Sequence, residues 1–372
     1  MPLDSFKVSN ILASTSLDQC QCVQFYHWRW SFFMQCLEIR IKLYLLALTQ
    51  NFALNIGISM DKPIECLLHR DRALLAEYAN VCLESLPDKC NAWSSTYRGL
   101  HKGRSICVKV WRGEGLVLPS QERTGFFRKL EREVLAWQVL SHPNIGAVHG
   151  LLFTLNNLPS VVTPYYPNGD INSYVSNNPC IDLKALVLGV ATGLRFLHHL
   201  NPPISHGDVR GCNVFITDDG VPVLSEIGLS LLPTPPDWTI PSDDGTRWMA
   251  PEVMDPRSIS SSNFDCLTTP MSDVYSFGMM MLEVYTGKVP FYTRRFYGRV
   301  VLDIMRGMRP SRPKVEACAS LTDEIWHTIE SCWAQDPLQR PTTESITSWL
   351  QLIIRSESAE YLRSDLSLKL KV

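Results

Sequence analysis

The stretch Pro167-Asn-Gly divides this chain into two textures, and that division constrains the fold most. Before it lie short strand-like runs: Ser105-Ile-Cys-Val-Lys-Val, Ala147-Val-His-Gly-Leu-Leu-Phe and Ser160-Val-Val-Thr. One strong helical stripe, 126–140, is embedded among them. After it the pattern is mostly helical. A β-rich part with one helix, followed by a larger helical part, predicts an α+β chain of two lobes with a cleft between them. The chain has 372 residues and is 45% hydrophobic, enough for a sizeable core and too apolar for wholesale disorder. Thirty-five basic and 37 acidic residues leave a net charge of -2, which excludes a protein built to coat nucleic acid. Twelve cysteines are scattered without a C-x-x-C pair, so they read as reduced core residues in a cytoplasmic protein.

Residues 1–60 differ from the rest, being rich in aromatics such as Trp28, Trp30, Phe32 and Phe33. The run Leu43–Met60 carries no charge, but Thr49, Gln50, Asn51, Asn55 and Ser59 interrupt it. A transmembrane helix needs about 20 predominantly apolar residues, so a membrane association is not expected. A packed helical extension, a poorly ordered segment and a stretch outside the natural product all stay open. Residues 61–88 read as a helical lead-in, from Ile64, Leu67, Leu68, Leu74, Leu75, Tyr78 and Leu86 at near-helical spacing. The main domain is expected over 89–352, with lobes 89–166 and 167–352, and a tail over 353–372.

In the stripe 126–140, the helical neighbours of Glu133 are Phe126, Leu130, Ala136, Trp137 and Leu140. A carboxylate on that apolar face needs a cation. Lys109, between Val108 and Val110 in a strand just upstream, is the expected partner. Such a pair fixes an ammonium in a cleft, which suits a phosphate.

The second constellation is His206-Gly-Asp208-Val-Arg210-Gly-Cys-Asn213-Val-Phe-Ile. A helical stripe precedes it and is ended by Pro202 and Pro203. The turn Asp218-Asp-Gly220 then leads into a strand that ends at Glu226. This hairpin brings Asp208, Asn213 and Glu226 near one another. Hard oxygen ligands of that kind suit Mg²⁺, which binds through few protein groups plus substrate phosphate.

With these residues in place, the chain resembles a eukaryotic protein kinase catalytic domain over roughly 89–352. The resemblance makes Lys109 and Glu133 the lysine–glutamate pair that anchors ATP, Asp208 the catalytic aspartate, and Asn213 and Glu226 the Mg²⁺ ligands. It also implies Thr163 at the gatekeeper position and Pro164-Tyr165-Tyr166 as the hinge that hydrogen-bonds adenine. Gly245-Thr-Arg-Trp-Met-Ala250-Pro-Glu252 is similar to the end of an activation segment. Asp273-Val-Tyr-Ser-Phe-Gly278 is similar to a buried central helix, and Arg340 to the arginine that pairs with Glu252. The subgroup looks tyrosine-kinase-like, resembling expanded fungal families. Thr246 and the basic Arg210, beside Asp208, imply serine or threonine hydroxyls of a protein substrate, with tyrosine still open. Small-molecule phosphotransferases share His-Gly-Asp-x-x-x-x-Asn but lack the Ala-Pro-Glu segment and the central helix.

Three positions depart from the pattern. Lys89-Cys-Asn-Ala-Trp-Ser-Ser95 stands where the family has its glycine-rich loop, and contains no glycine. Glu226-Ile-Gly228 replaces Asp-Phe-Gly, keeping the charge on a longer side chain. Gly207 replaces the arginine that reads a phosphorylated activation segment, although Thr234, Thr239 and Ser242 lie in that segment. Two expectations follow: an ATP-dependent protein kinase with an impaired site, or a pseudokinase that binds a partner without phosphotransfer.

Overall fold

A computed structural model describes residues 81–90, 94–111, 120–152, 160–229, 232, 245–254, 268–314 and 318–369, of which 120–125 and 358–369 as backbone alone. The chain divides into two units, Met1–Met60 and Asp61–Val372, and all described residues belong to the second. The expected extension 1–60, with its uncharged run, and Thr234, Thr239 and Ser242 lie outside the described residues. Among the described residues, no helix is long and apolar enough to cross a membrane.

The first part of the unit is an antiparallel sheet. Its strands are β1 (Cys82–Leu83), β2 (Lys89–Cys90), β3 (Ser94–His101), β4 (Arg104–Trp111), β5 (Gly150–Leu152) and β6 (Ser160–Pro164), in the order β1-β3-β4-β6-β5, with β2 also paired to β3. β1 is a correction to the helical lead-in expected over 61–88, of which 61–80 lies outside the described residues. Residues 82–90 run along β3, with Glu84 N–H donating to Arg98 O and Asp88 N–H to Thr96 O. Pro87 has no N–H to continue a helix there.

Alternation gives this sheet two faces. Ile106 and Val108 of β4 are buried with Val162 and Leu152, and Val81, Leu83 and Val110 pack against them. The opposite face of β4 carries Cys107, Lys109 and Trp111. Residues directly opposite in an antiparallel ladder share a face. Lys89 is opposite Thr96, Thr96 is opposite Lys109, and Cys107 is opposite Thr163. Lys89, Thr96, Lys109, Cys107 and Thr163 therefore lie on one side of the sheet.

α1 (Ser120–Gln138) packs through Phe126, Leu130, Val134 and Trp137. The Trp137 indole donates to Gly146 O at 2.7 Å. The helical part contains α2 (Ile171–Asn177), α3 (Leu183–His198), α4 (Pro251–Met254), α5 (Pro270–Thr286), α6 (Tyr297–Met305), α7 (Asp323–Cys332) and α8 (Thr343–Lys369), with the hairpin β7 (Val214–Ile216) and β8 (Pro222–Leu224). α3 buries Leu186, Val187, Val190, Leu194 and Leu197, the stripe read from the sequence.

α5 is the axis of this lobe, buried without a break from Ser272 to Tyr285. Its start is fixed by a capping box between Thr269 and Ser272, with Pro270 in the first turn. Its end is closed by Gly287 in the left-handed region (φ 65°), where a side chain is disfavoured.

Candidate active site

Two carboxylates of α5 hold the loop that follows α3. Asp273 accepts from His206 N (2.7 Å) and Gly207 N (2.8 Å), and lies 2.9 Å from His198 Nε2. Ten residues further along, Glu283 accepts from Gly211 N (3.0 Å), the Trp248 indole (2.9 Å) and Asn172 Nδ2 (2.7 Å). Burial pushes the Glu283 carboxyl up, against the pull of these donors. At Gly211 a Cβ would come within 2.3 Å of the Asn172 side chain, so the close approach of loop to α2 requires glycine.

Between these anchors Asp208, Arg210 and Asn213 satisfy one another. Asp208 Oδ2 accepts from Arg210 Nε (3.0 Å) and Asn213 Nδ2 (2.8 Å), and Asn213 Nδ2 also donates to Asp208 O (2.9 Å). One carboxylate oxygen is thus occupied. The other, Oδ1, faces Gly245, where a Cβ would lie 3.6 Å away. Asn213 Oδ1 meets only the Cys212 thiol, at 3.6 Å, among the described residues. The β7–β8 hairpin, with Ser225 N–H donating to Asn213 O (3.0 Å), carries Glu226 to the same end of the cleft.

The segment 245–252 is held as firmly. Trp248 reaches Glu283, and Ser276 Oγ donates to Trp248 O (2.8 Å). The Arg247 guanidinium donates to Pro290 O, Phe291 O and Arg294 O. Glu252 and Arg340 form the pair the sequence resemblance implied, with contacts of 2.5 and 2.8 Å.

The lysine–glutamate pair is different. Lys109 Nζ lies 2.6 Å from Glu226 Oε2, and among the described residues no ion pair joins Lys109 to Glu133. Glu133 instead meets Arg132 at 3.2 Å and packs beside Gly228, where a Cβ would lie 2.9 Å from its carboxylate. This corrects the sequence reading. The buried stripe of α1 runs through Leu130, Val134 and Trp137, so Glu133 lies at its edge. Glu226 also has the longer reach of an extra methylene, on a backbone in the left-handed region (φ 66°). Burial would raise its carboxyl, but the Lys109 ammonium, with Arg210 behind it, holds it below the usual carboxylate range.

Near the end of β6, Thr163 sits opposite Cys107, and burial pushes that thiol up to about 11. Tyr165 extends the pairing of β6, its N–H donating to Ser105 O at 3.4 Å, and its ring lies 4.5 Å from the Arg98 guanidinium. Tyr166 stacks on Phe215 of β7, with centroids 5.5 Å apart. Phe215, Asp170 and Lys89 also belong to this corner of the cleft. Asp170 caps α2 by accepting from Ser173 N (2.9 Å) and pairs with Lys89, whose ammonium lies 5.8 Å from the Phe215 centroid. No motif in the sequence marks these three; Lys89 stood out only as a non-glycine. For Mg²⁺ the donor set fits: Asn213 Oδ1 and the Glu226 carboxylate are hard oxygens, few in number, as that ion prefers.

A sheet with an inward lysine, above a helical lobe that holds an Asp–Asn loop, defines a phosphotransferase domain of the protein kinase type. The chain belongs to the protein tyrosine and serine/threonine kinase family, whose model it matches over residues 95–350. It is 25% identical over 271 residues to the serine/threonine-protein kinase STY17 of Arabidopsis thaliana, covering 72% of this chain and 43% of that protein. It is 29% identical over 318 residues to the serine/threonine-protein kinase CTR1 of the same plant, covering 82% of this chain and 36% of that one. A probable serine/threonine-protein kinase of Dictyostelium discoideum, qkgA, is 28% identical over 251 residues, covering 64% and 15%. The chain thus spans less than half the length of these curated relatives.

Proposed function

We propose that this chain is an ATP-dependent protein serine/threonine kinase domain that works in the cytoplasm on hydroxyl groups of proteins. The observation that carries this reading is the division of labour on Asp208. Its Oδ2 is fixed by Arg210 and Asn213, which leaves Oδ1 to accept a substrate hydroxyl proton. As the proton leaves, the hydroxyl oxygen forms a bond to the γ-phosphorus of ATP, the bond to the bridging oxygen breaks, and ADP departs. Arg210, 2.9 Å from Asp208, adds positive charge beside the transferring group. Asn213 Oδ1 and Glu226 would hold Mg²⁺, which neutralises charge on the phosphates when bound. Lys109 places an ammonium on the cleft side of the sheet, and Tyr165 and Tyr166 place the hinge backbone beside it. The free cysteines among the described residues suit a reducing compartment.

A second reading, a partner-binding pseudokinase, is favoured by one feature. The Lys109 ammonium is held by the same carboxylate that would serve the metal. Mg²⁺-ATP phosphorylation of the chain itself and of a generic protein substrate separates the two. Wild type should incorporate phosphate, and Asp208→Asn should lower the rate by about 10²–10⁴-fold while keeping nucleotide binding and the unfolding temperature. No incorporation by wild type, with the protein folded and binding nucleotide, would favour the scaffold, and equal incorporation by the two proteins would mean that Asp208 is not the catalytic residue.

A further inference from the structure

Lys89 occupies the first position of the stretch that replaces the glycine-rich loop, and what its side chain does there is unusual. It lies on the same face of the sheet as Lys109, two strands away through Thr96, which puts their backbones roughly 10 Å apart. Each lysine crosses the cleft to a carboxylate of the helical lobe: Lys109 to Glu226, and Lys89 to Asp170. The Lys89 ammonium also lies over the face of Phe215. Phe215 and its stacking partner Tyr166 offer an aromatic surface beside the hinge, the kind on which a planar purine packs. Asp170 is 8% exposed, so its carboxylate needs a cation, and among the described residues Lys89 is the one paired with it.

We propose that Lys89 is a latch on the nucleotide site: its bridge to Asp170 closes the sheet over Phe215, and a purine is admitted when the bridge opens. This rests on the nucleotide-binding part of the proposed function, but not on catalysis. The bound fraction then follows two steps, opening of the bridge and stacking of the base, so the observed affinity is the intrinsic affinity reduced by the open fraction. Lys89 is 55% exposed, so the bridge is weak enough to open and is screened by salt. An ammonium whose task was to bind the phosphate chain would have the opposite effect on affinity when removed.

Adenosine tests this without phosphotransfer. It carries no charge, so salt acts on its binding through the protein's own ion pairs. Equilibrium binding of adenosine and of ATP is measured for wild type, Lys89→Ala and Asp170→Asn, between about 0.05 and 0.5 M KCl. Lys89→Ala should bind adenosine about 3- to 10-fold more tightly at low salt. Wild-type affinity for adenosine should rise with salt, and that rise should be smaller in both variants. Asp170→Asn retains an oxygen for the α2 cap, which keeps its salt slope interpretable. Unchanged or weaker adenosine binding by Lys89→Ala, with ATP still bound by wild type, overturns the latch and leaves the nucleotide reading standing. Failure of both ligands to bind wild type and Lys89→Ala, when both are folded, overturns both readings.

Discussion

The 206–213 loop and the cleft face of the sheet treat charge in opposite ways. In the loop, Asp208, Arg210 and Asn213 satisfy one another, and α5 fixes both ends through Asp273 and Glu283. On the sheet, Lys89 and Lys109 find their carboxylates across the cleft, on Asp170 and Glu226. The loop is therefore set by its own lobe whether or not a nucleotide is bound, as preorganised catalysis requires. The sheet face depends on ionic partners that a metal or nucleotide can replace. Two of the three departures from the family pattern, Lys89 and Glu226, stand among these cross-cleft pairs, and the third, Gly207, lies in the loop, where its N–H is held by Asp273.

The sharpest way to break this contrast is to compare ion pairs from the two regions. Glu252–Arg340 anchors the helical lobe, with side chains 5% and 0% exposed. Arg340→Ala strands a buried carboxylate and should cost about 3–5 kcal/mol. At a few degrees per kcal/mol, thermal unfolding should fall by roughly 10 °C. Lys109 and Glu226 are each about one-fifth exposed, so solvent screens them and lets a stranded Glu226 relax. Lys109→Met should cost about 1 kcal/mol or less, but weaken ATP binding. Equal losses of stability would mean that the cleft pair is as structural as the lobe anchor.

Glu226→Asp sharpens the contrast from the nucleotide side. The shorter side chain should release Lys109 and draw the carboxylate back toward Asn213. Aspartate also tolerates the left-handed backbone of this position better than glutamate. Mg²⁺-dependent phosphotransfer should rise by about tenfold, since displacement of a reacting group by about 1 Å can cost on the order of 100-fold. Activity unchanged or lowered in Glu226→Asp would show that the longer carboxylate is fitted to its place.

Much of the helical lobe was legible because its signals are local. The α3 stripe, the proline stop and the 208–213 spacing follow from short motifs, whereas the Glu252–Arg340 pair, 88 residues apart, follows from the family resemblance. Lys109–Glu133 failed for a different reason. Helical periodicity places Glu133 near an apolar face, but which of two carboxylates wins a lysine depends on reach in space. Glu226 is 117 residues from Lys109 and reaches it with one extra methylene. Lys89–Asp170 was equally hidden, since a half-exposed lysine and a helix-capping aspartate are ordinary residues until the sheet register places them together. The strand at Cys82–Leu83 is missed because the helical spacing of Leu74, Leu75 and Tyr78 extends on to Leu86. Pro87 was the sign against a helix.

The smallest effect tests the fixed seam between the two regions. The turn after α1 is pinned to the helical lobe: Leu224 N–H donates to Asn144 O (2.9 Å), and Gly146 N–H donates to Leu224 O (2.7 Å). His142 supports this turn by accepting from Asn144 N at 3.1 Å through Nδ1, with its ring stacked on Phe196. Burial, with the Arg195 charge added, pulls the imidazole from 6.5 down to about 4. The folded protein therefore resists a proton that the unfolded chain accepts. The stabilising contribution is complete above about pH 6.5, declines as pH falls toward 4, and stops declining once the folded imidazole also protonates. Carboxylates titrate in the same window, so the readout is the difference between wild type and His142→Gln, whose amide oxygen still accepts from Asn144 N. That difference should favour wild type most near pH 7 and shrink toward pH 4, by a few degrees in unfolding temperature. A difference constant across the window would mean that His142 stays protonated, or stays neutral, in both states, and that the seam is insensitive to acid at this point.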